Sequence, residues 1–138
     1  MVHNLTPVRV IFADTDAMGI VYHTNYIKWF EIGRSEIFRQ LGFFYSEIEK
    51  HGFNFPVTEV YCNYLLPAKY DQLLFVETTI DYISRVVIKF CYNILDEHKN
   101  HVLTSGYTIH ACINAEGKVR RMPQMLLDLK AKYNIKGE

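Results

Sequence analysis

The stretch TNYIKWFEIGRSEIFRQL, residues 24–41, decides the fold. Its apolar positions recur at 26, 29, 30, 33, 37 and 41, which is the spacing of one face of an α-helix, and further apolar side chains widen that face. The pattern predicts a helix of about five turns, buried over much of its circumference. Thr24 can cap its first turn and Gly42 can end it, since glycine readily adopts the left-handed conformation found after helices.

A strand precedes this helix. In TPVRVIFA, residues 6–13, the alternate positions Val8, Val10 and Phe12 carry β-branched or aromatic side chains. A period of two with this composition is typical of a β-strand. We therefore predict that a strand passes directly into the long helix through a polar junction.

After the helix, the apolar period changes to two. A short helical piece, YSEIEKHG, ends at Gly52, and four stretches of about ten residues then alternate as β-strands do. Short polar connections, PAKYDQ, SR and DEHKN, predict an antiparallel meander of hairpins. A last strand at VRR and a helix at PQMLLDLKAKY, starting at Pro123, close the chain. The alternating sets are Val60, Cys62, Tyr64 and Leu66; Leu74, Val76, Ile80 and Tyr82; Val86, Ile88, Phe90, Tyr92 and Ile94; and Leu103, Tyr107, Ile109, Ala111 and Ile113.

This order of elements predicts an α+β fold in which a long antiparallel sheet wraps around one long central helix. We expect one domain over residues 1–138, because this length is typical of a single domain. The outer face of the sheet would still carry Ile83, Val87 and Cys91, and the edge strands would need cover. We therefore expect at least a homodimer and favour a tetramer. The sequence does not decide between these two states.

The composition excludes several classes of partner. Fifteen Lys and Arg balance fifteen Asp and Glu, so the total charge gives no reason to expect nucleic acid as a partner. No apolar run approaches the roughly 18 residues of a membrane span, and MVHNLTPVRV lacks the apolar core of a signal peptide, which predicts a cytoplasmic protein. Three widely spaced cysteines are typical of reduced core thiols.

The junction itself, DTDAMGIVYHTNY at residues 14–26, gathers the polar chemistry. Asp16 lies at the end of the predicted strand, and the residues after it open the predicted helix. Unpaired N–H groups at a helix start can bind a developing oxyanion, and a carboxylate beside them can attack or can activate water. The junction therefore predicts acyl transfer.

The same residues resemble a known family. The pattern Asp-Thr-Asp-Ala-x-Gly-x-Val-Tyr-His-x-Asn-Tyr is similar to the signature of the hotdog-fold acyl-CoA thioesterases, in the branch that includes 4-hydroxybenzoyl-CoA thioesterase and the Tol-Pal-associated enzymes. The likeness continues in FEIGRSEIFRQLG and YLLPAKYDQLLFVET. It implies a hotdog fold, active sites at an interface between paired subunits, and hydrolysis of an acyl-CoA. Coenzyme A would be part of the substrate, and no separate cofactor is expected.

The resemblance also implies roles for individual residues. Asp16 corresponds to the catalytic carboxylate, as nucleophile or general base. His23 would supply a backbone N–H to the oxyanion, and its ring would orient substrate or water. Met18 departs from a glycine common in this branch, which bears on the shape of the acyl pocket. The residues expected to bind substrate are Gly19, Tyr22 and Asn25.

Other residues have competing interpretations. Asp14 is typical of a turn at a strand end. A calcium loop starting at Asp14 would need ligands where Met18 and Asn25 stand, so we predict no metal. Glu31 is the reserve carboxylate, since another thioesterase branch takes its carboxylate from the long helix. The remaining five histidines are scattered, and we assign them no role.

Cations are expected near the mouth of a coenzyme A site, because its phosphates need positive partners. The candidates are Arg85 in a predicted tight hairpin and Lys118, Arg120 and Arg121 in the predicted last strand. A solvated charged edge explains the same residues equally well.

Two other functions remain open from the sequence. One is a hotdog hydratase or dehydratase acting on acyl thioesters, whose sites pair a histidine with an acid. The other is a non-catalytic acyl-CoA-binding dimer, because a fold does not by itself fix an activity. The acyl chain and the choice between a covalent anhydride and direct attack by water also remain open.

Overall fold

The computed structural model describes residues 2–138, which form a five-stranded antiparallel sheet with helices packed against it. The strands are β1 (His3–Arg9), β2 (Val57–Tyr64), β3 (Leu73–Ile83), β4 (Val87–Leu95) and β5 (Val102–Ala111). The helices are α1 (Asn25–Gln40), α2 (Tyr45–Lys50) and α3 (Gln124–Tyr133), with a 3-10 turn at Phe12–Asp14. None of the helices in the part of the chain described is long and apolar enough to cross a membrane.

The strand order in the sheet is β1-β3-β4-β5-β2. The predicted meander is confirmed for β3, β4 and β5, which pair in sequence. The prediction is wrong for β2, which pairs with β5 and not with β3. The connection PAKYDQ therefore crosses from one edge of the sheet to the inner strand β3, which also pairs with β1.

Helix α1 packs against β1, β3 and β4. It begins after Thr24 and is followed by Gly42 at a φ of 86°, as predicted, although the Thr24 side chain makes no capping hydrogen bond. The helical residues are divided among three helices of 16, 6 and 10 residues. The structure therefore does not confirm a single long central helix.

The first strand was predicted too late in the chain. β1 ends at Arg9, and the backbone then turns at Phe12–Asp14, because the Asp14 carboxylate accepts a hydrogen bond from the Ile11 N–H at 3.1 Å. Phe12, predicted to share a face with Val8 and Val10, is 77% exposed as a result. The predicted last strand at VRR is also absent from the described residues, where Val119 forms only an isolated bridge to Ile113.

A bulge in β3 changes which of its residues lie on the outer face of the sheet. The register of β3 against β4 shifts between Ile80 and Tyr82, which moves Ile83 to the buried face. Ile83 is therefore a core residue, and its assignment to the outer face is wrong. Val87 and Cys91 are half-buried, and the three cysteines are unpaired.

The inward face of β5 is polar, contrary to its apolar periodicity. Thr104, Thr108 and His110 are buried, whereas the apolar set at Tyr107 and Ile109 is only half-buried. Internal hydrogen bonds compensate much of this burial: His110 contacts the Phe55 carbonyl at 3.0 Å and the Thr108 hydroxyl at 2.8 Å. Since a carbonyl only accepts, Nδ1 of His110 carries the proton and Nε2 accepts from Thr108.

The environment of His110 predicts acid sensitivity. Burial lowers its pKa from 6.5 to about 4, aided by the nearby Arg34 charge and opposed by the bond to Phe55. Between these two pH values the unfolded chain binds a proton that the folded chain does not. The free energy of unfolding should therefore fall by at most about 3 kcal/mol as the pH drops from 6.5 to 4.

Denaturant unfolding at fixed protein concentration checks this prediction across pH 7.5 to 4. The free energy of unfolding should fall less steeply with decreasing pH in His110→Gln than in the wild type, because glutamine at position 110 cannot take up a proton. Equal slopes in the two proteins would contradict it.

The free edge of β2 leaves apolar side chains uncovered. This strand is exposed on both faces over nearly all its length, and only Cys62 is half-buried. Exposed apolar or aromatic side chains along and beyond this edge include Val57, Val60, Tyr61, Tyr64, Leu65 and Leu66. An edge of this kind is a template for pairing with another chain.

Candidate active site

Asp16 lies in a short loop that is closed by a bridge between Thr15 and Val21. Its N–H donates to the Ile20 carbonyl at 2.9 Å, and its carbonyl accepts from Gly19, whose φ of 77° favours glycine. One carboxylate oxygen accepts the Met18 N–H at 2.8 Å. The other accepts no hydrogen bond from residues 2–138, and the side chain is half-buried. One oxygen of Asp16 is therefore held and the other is available.

Asp14 is buried and connects several segments. Its carboxylate accepts from Lys28 Nζ at 2.6 Å and from the Ile11 N–H at 3.1 Å. Its carbonyl accepts from the Tyr22 N–H at 2.9 Å and from the Asn25 side chain at 2.7 Å. Asp14 therefore does more than form a turn, and Asn25, predicted to bind substrate, donates its amide to Asp14.

Helix α1 does not start directly at Asp16, because residues 17–24 separate them. Within the described chain, the backbone N–H groups of His23, Thr24 and Tyr26 donate no hydrogen bond to protein acceptors. Unpaired N–H groups at the start of α1 carry partial positive charge. They are available as donors to an anionic oxygen.

The His23 ring is exposed and lies between two tyrosine rings. Its centroid is 4.4 Å from that of Tyr22 and 6.2 Å from that of Tyr64, and Tyr64 donates its hydroxyl proton to the His23 carbonyl at 2.9 Å. This contact connects the end of β2 to the start of α1.

A cavity of about 300 Å³ opens beside these residues. Tyr26 is its most buried aromatic side chain; burial raises the pKa of its hydroxyl, which accepts the Ala68 N–H at 3.3 Å. Asp16 is not in the lining, but Ile20, which pairs with the Asp16 N–H, is. The lining residues are Ile20, Val21, His23, Tyr26, Tyr64, Leu65, Leu66 and Pro67.

Of the predicted catalytic and substrate-binding residues, His23 reaches this lining, whereas Asp16, Gly19, Tyr22 and Asn25 do not. Gly19 shapes the loop that carries Asp16, and Tyr22 contacts the His23 ring from outside the cavity. No pattern along the chain indicated Tyr64 and Lys28 as neighbours of the site. Tyr64 lies on β2 and Lys28 on α1, and each contacts the junction across a long stretch of chain. The spacing of residues along the sequence does not indicate such contacts.

The four predicted cations lie away from Asp16. The Asp16 loop contacts Lys69 and Tyr70, just before the start of β3 at Leu73. Arg85 follows the other end of β3 at Ile83, so the eleven residues of that strand, roughly 3.3 Å each, separate the two regions of the chain.

The cations also have different partners. Arg85 and Arg121 line one cleft with Ser84, whereas Arg120 donates to the carbonyls of His51 and Gly52. The Lys118 N–H donates to the Asn114 side chain, next to the same end of the sheet. The structure therefore brings Arg85 and Arg121 together, whereas the Arg120 side chain is hydrogen-bonded to backbone carbonyls of the same chain.

The reserve carboxylate Glu31 is exposed on α1. Across residues 2–138, no three His, Cys, Asp or Glu side chains are grouped closely enough to hold a metal ion. Asp16 is the carboxylate in the loop whose Ile20 lines the cavity, and the residues that follow this loop carry the unpaired N–H groups.

Comparison with known proteins identifies the family of this chain. The model of the thioesterase-like superfamily matches residues 10–129. The acyl-CoA thioesterase YbgC of Haemophilus influenzae is 35% identical over 116 residues, which cover 83% of this chain and 82% of that protein. The acyl-CoA thioester hydrolase YbgC of Escherichia coli O157:H7 is 29% identical over 122 residues, covering 88% and 90%.

A solved thioesterase structure has a similar fold. The DHNA-CoA thioesterase from Staphylococcus aureus is 32% identical, with a TM-score of 0.88 over 97% of this chain and 90% of that one. The α+β hotdog-type fold expected from the motif is confirmed by these likenesses and by the antiparallel sheet. The chain therefore belongs to the thioesterase-like superfamily, and it resembles the acyl-CoA thioesterases of that superfamily over most of its length.

Proposed function

We propose that this protein hydrolyses an acyl-CoA thioester to a carboxylic acid and coenzyme A, with Asp16 as nucleophile or general base. The observation that carries the proposal is the half-buried Asp16 carboxylate, one oxygen of which accepts no hydrogen bond from residues 2–138. It belongs to a loop whose Ile20 lines an apolar cavity together with His23, and the His23 N–H has no protein acceptor among these residues. The named relatives, two acyl-CoA thioester hydrolases and a DHNA-CoA thioesterase, support the reaction class.

The chemistry follows from these groups. The Asp16 carboxylate either attacks the thioester carbonyl carbon or removes a proton from a water molecule that attacks it. The carbonyl oxygen becomes negative, and the backbone N–H groups at the start of α1, including that of His23, donate to it. The C–S bond then breaks, and coenzyme A leaves as a thiolate that takes up a proton. Attack by water gives the acid directly, whereas attack by Asp16 gives a mixed anhydride. In the first route, water hydrolyses the resulting anhydride.

The cavity is the proposed acyl site. It is lined mainly by aliphatic and aromatic side chains, including Tyr26 and Leu66, which suit an apolar acyl group. Met18 is 77% exposed in the same loop as Asp16. Its side chain can cover a bound acyl group only by moving inward from this position.

A second copy of the chain would complete the site. If the free edges of two β2 strands pair in antiparallel fashion, the Val57 end of one strand lies beside the Tyr64 end of the other. That arrangement brings the end of the sheet that carries Arg85, Lys118, Arg120 and Arg121 towards the cavity of the partner, where the coenzyme A phosphates would enter. It would also cover the apolar β2 edge.

Several further properties belong to the same proposal. The chain would form one hotdog domain over residues 1–138, with the sheet wrapped around α1 as the single central helix of the fold. It would act as a dimer or tetramer in the cytoplasm. Hydrolysis by a carboxylate and backbone donors would need no cofactor beyond the coenzyme A of the substrate.

Release of free thiol from a panel of acyl-CoAs tests the reaction. The panel runs from short aliphatic to long-chain and benzoyl esters, and sedimentation of the same preparation gives its assembly state. We expect thiol release from at least one ester by a species of two or four chains. An enoyl-CoA that loses its ultraviolet absorbance without thiol release would indicate a hydratase, and tight binding without turnover would indicate a non-catalytic dimer. Either result, or an active monomer, would contradict the corresponding part of the proposal.

A further inference from the structure

The side-chain hydrogen bonds that join the loop carrying Asp16 to α1 all involve one residue. Among residues 2–138, both side-chain hydrogen bonds between residues 11–21 and α1 end on Asp14, one from Asn25 and one from Lys28. The other attachments of the loop lead elsewhere: Thr15 pairs with Val21, and Ile20 pairs with Lys69. The position of Asp16 relative to the start of α1 therefore depends on the contacts of Asp14.

We propose that the Asp14–Lys28 ion pair is a positioning contact that holds the Asp16 loop against the first turns of α1. This inference rests on the function proposed above, because it concerns the distance between the reacting carboxylate and the oxyanion donors. Asp14 and Lys28 are positioning residues, which act through Asp16 and the α1 backbone and do not touch substrate.

Burial of the Asp14 carboxylate makes the contact strong enough for this role, although the Lys28 side chain is 49% exposed. The Asp14 side chain is 5% exposed, and Lys28 Nζ lies 2.6 Å from its Oδ1. A buried carboxylate without its cation is costly, so Asp14 has a strong preference for the loop position in which Lys28 can reach it. The same carboxylate also accepts the Ile11 N–H, which fixes the turn that leads into the loop.

The contact matters because acyl transfer is sensitive to small displacements. A shift of about 1 Å between reacting groups can cost on the order of a hundredfold in rate. Loss of the ion pair should leave the cavity intact, since neither residue lines it. We therefore expect an effect on kcat with little effect on KM.

The test uses four variants measured beside the wild type. Lys28→Met removes the cation but leaves a buried charge, so it can fail to fold. Asp14→Asn combined with Lys28→Met removes both charges and avoids this. Lys28→Arg keeps the cation. Lys50→Met is the matched control, because Lys50 pairs with Glu47 in an exposed ion pair at 3.4 Å on α2.

Two readouts separate positioning from general stability. The first is kcat and KM per folded molecule, for which we expect kcat to fall about 10- to 100-fold in the double variant. KM of the double variant should stay within about threefold of the wild-type value. Lys28→Arg, which keeps the cation, should have a kcat close to that of the wild type. The second is amide hydrogen exchange, which should rise at least tenfold in residues 11–25 of the double variant and stay unchanged in β4. Lys50→Met should change neither readout.

Each outcome decides the inference. Exchange that rises equally in β4 and in residues 11–25, with an unchanged kcat per folded molecule, would overturn it, as would wild-type kcat and exchange in the double variant. If the wild type releases no thiol from any acyl-CoA, the proposed function fails, and the exchange pattern of residues 11–25 still decides whether the ion pair holds the loop.

Discussion

Asp16→Asn is expected to lower thiol release from the preferred acyl-CoA by at least about a hundredfold, the loss typical of a removed general base or nucleophile. Asparagine keeps the size of aspartate, and its side-chain oxygen can still accept the Met18 N–H that now bonds to Asp16 at 2.8 Å. The loop should therefore keep its shape, and the loss should appear in kcat. Steady-state kinetics of purified wild type and variant measure it.

The control for this substitution is Asp128→Asn. Asp128 is an exposed carboxylate on α3 whose one hydrogen bond from residues 2–138 comes from Gln124, and its loss should leave kcat unchanged. Full activity in Asp16→Asn would show that Asp16 is not the reacting carboxylate, and Glu31→Gln would then be measured next. Turnover in water labelled with ¹⁸O separates the two mechanisms, since label in the Asp16 carboxylate indicates an anhydride intermediate.

Gly33→Ala is expected to destabilise the fold although alanine favours helices. A Cβ at position 33 would lie 2.2 Å from Thr78 Oγ1 and 2.8 Å from Val76 Cγ1, both on β3 and both buried. Alanine gains roughly 1 kcal/mol over glycine in a helix interior, but α1 would have to move away from the sheet. Overpacking of this kind typically costs about 1–3 kcal/mol, and we expect a net loss at the upper end of that range.

Denaturant unfolding measures this loss, and Thr78→Ala provides the matched test of its cause. Thr78 Oγ1 is buried and has no hydrogen-bond partner in the described part of the chain, so Thr78→Ala alone should change the stability little. Combined with Gly33→Ala, it removes the closest clash, and the double variant should recover about half of the loss. Additive effects of the two substitutions would contradict the close approach of α1 to β3 as the cause.

The elements that the sequence predicted well are those set by local spacing. The predicted helix at residues 24–41 corresponds to α1 at Asn25–Gln40, and the period of two located β3, β4 and β5. The motif at residues 14–26 identified the family for the same reason, because its residues are contiguous in the chain. Its likeness extends to most of the relatives' length.

The mispredicted elements depend on contacts between distant segments. A period of two does not state which strand is the neighbour, so the pairing of β2 with β5 could not be read from it. The period of two also does not state which face of a strand is buried. In β5 the polar face is buried because its side chains form hydrogen bonds inside the protein, as His110 does. The bulge after Ile80 likewise moved Ile83 inward without a local signal.

The sequence by itself determined the family, the helix α1, most of the strands and the candidate carboxylate Asp16, because each of these is encoded in residues a few positions apart. Only the tertiary structure decided that Asp14 is buried against Lys28, that Tyr64 of β2 meets His23, and that the four cations lie at the far end of the sheet. Those relations arise when the sheet and α1 pack together, since burial brings into contact residues that no spacing along the chain connects.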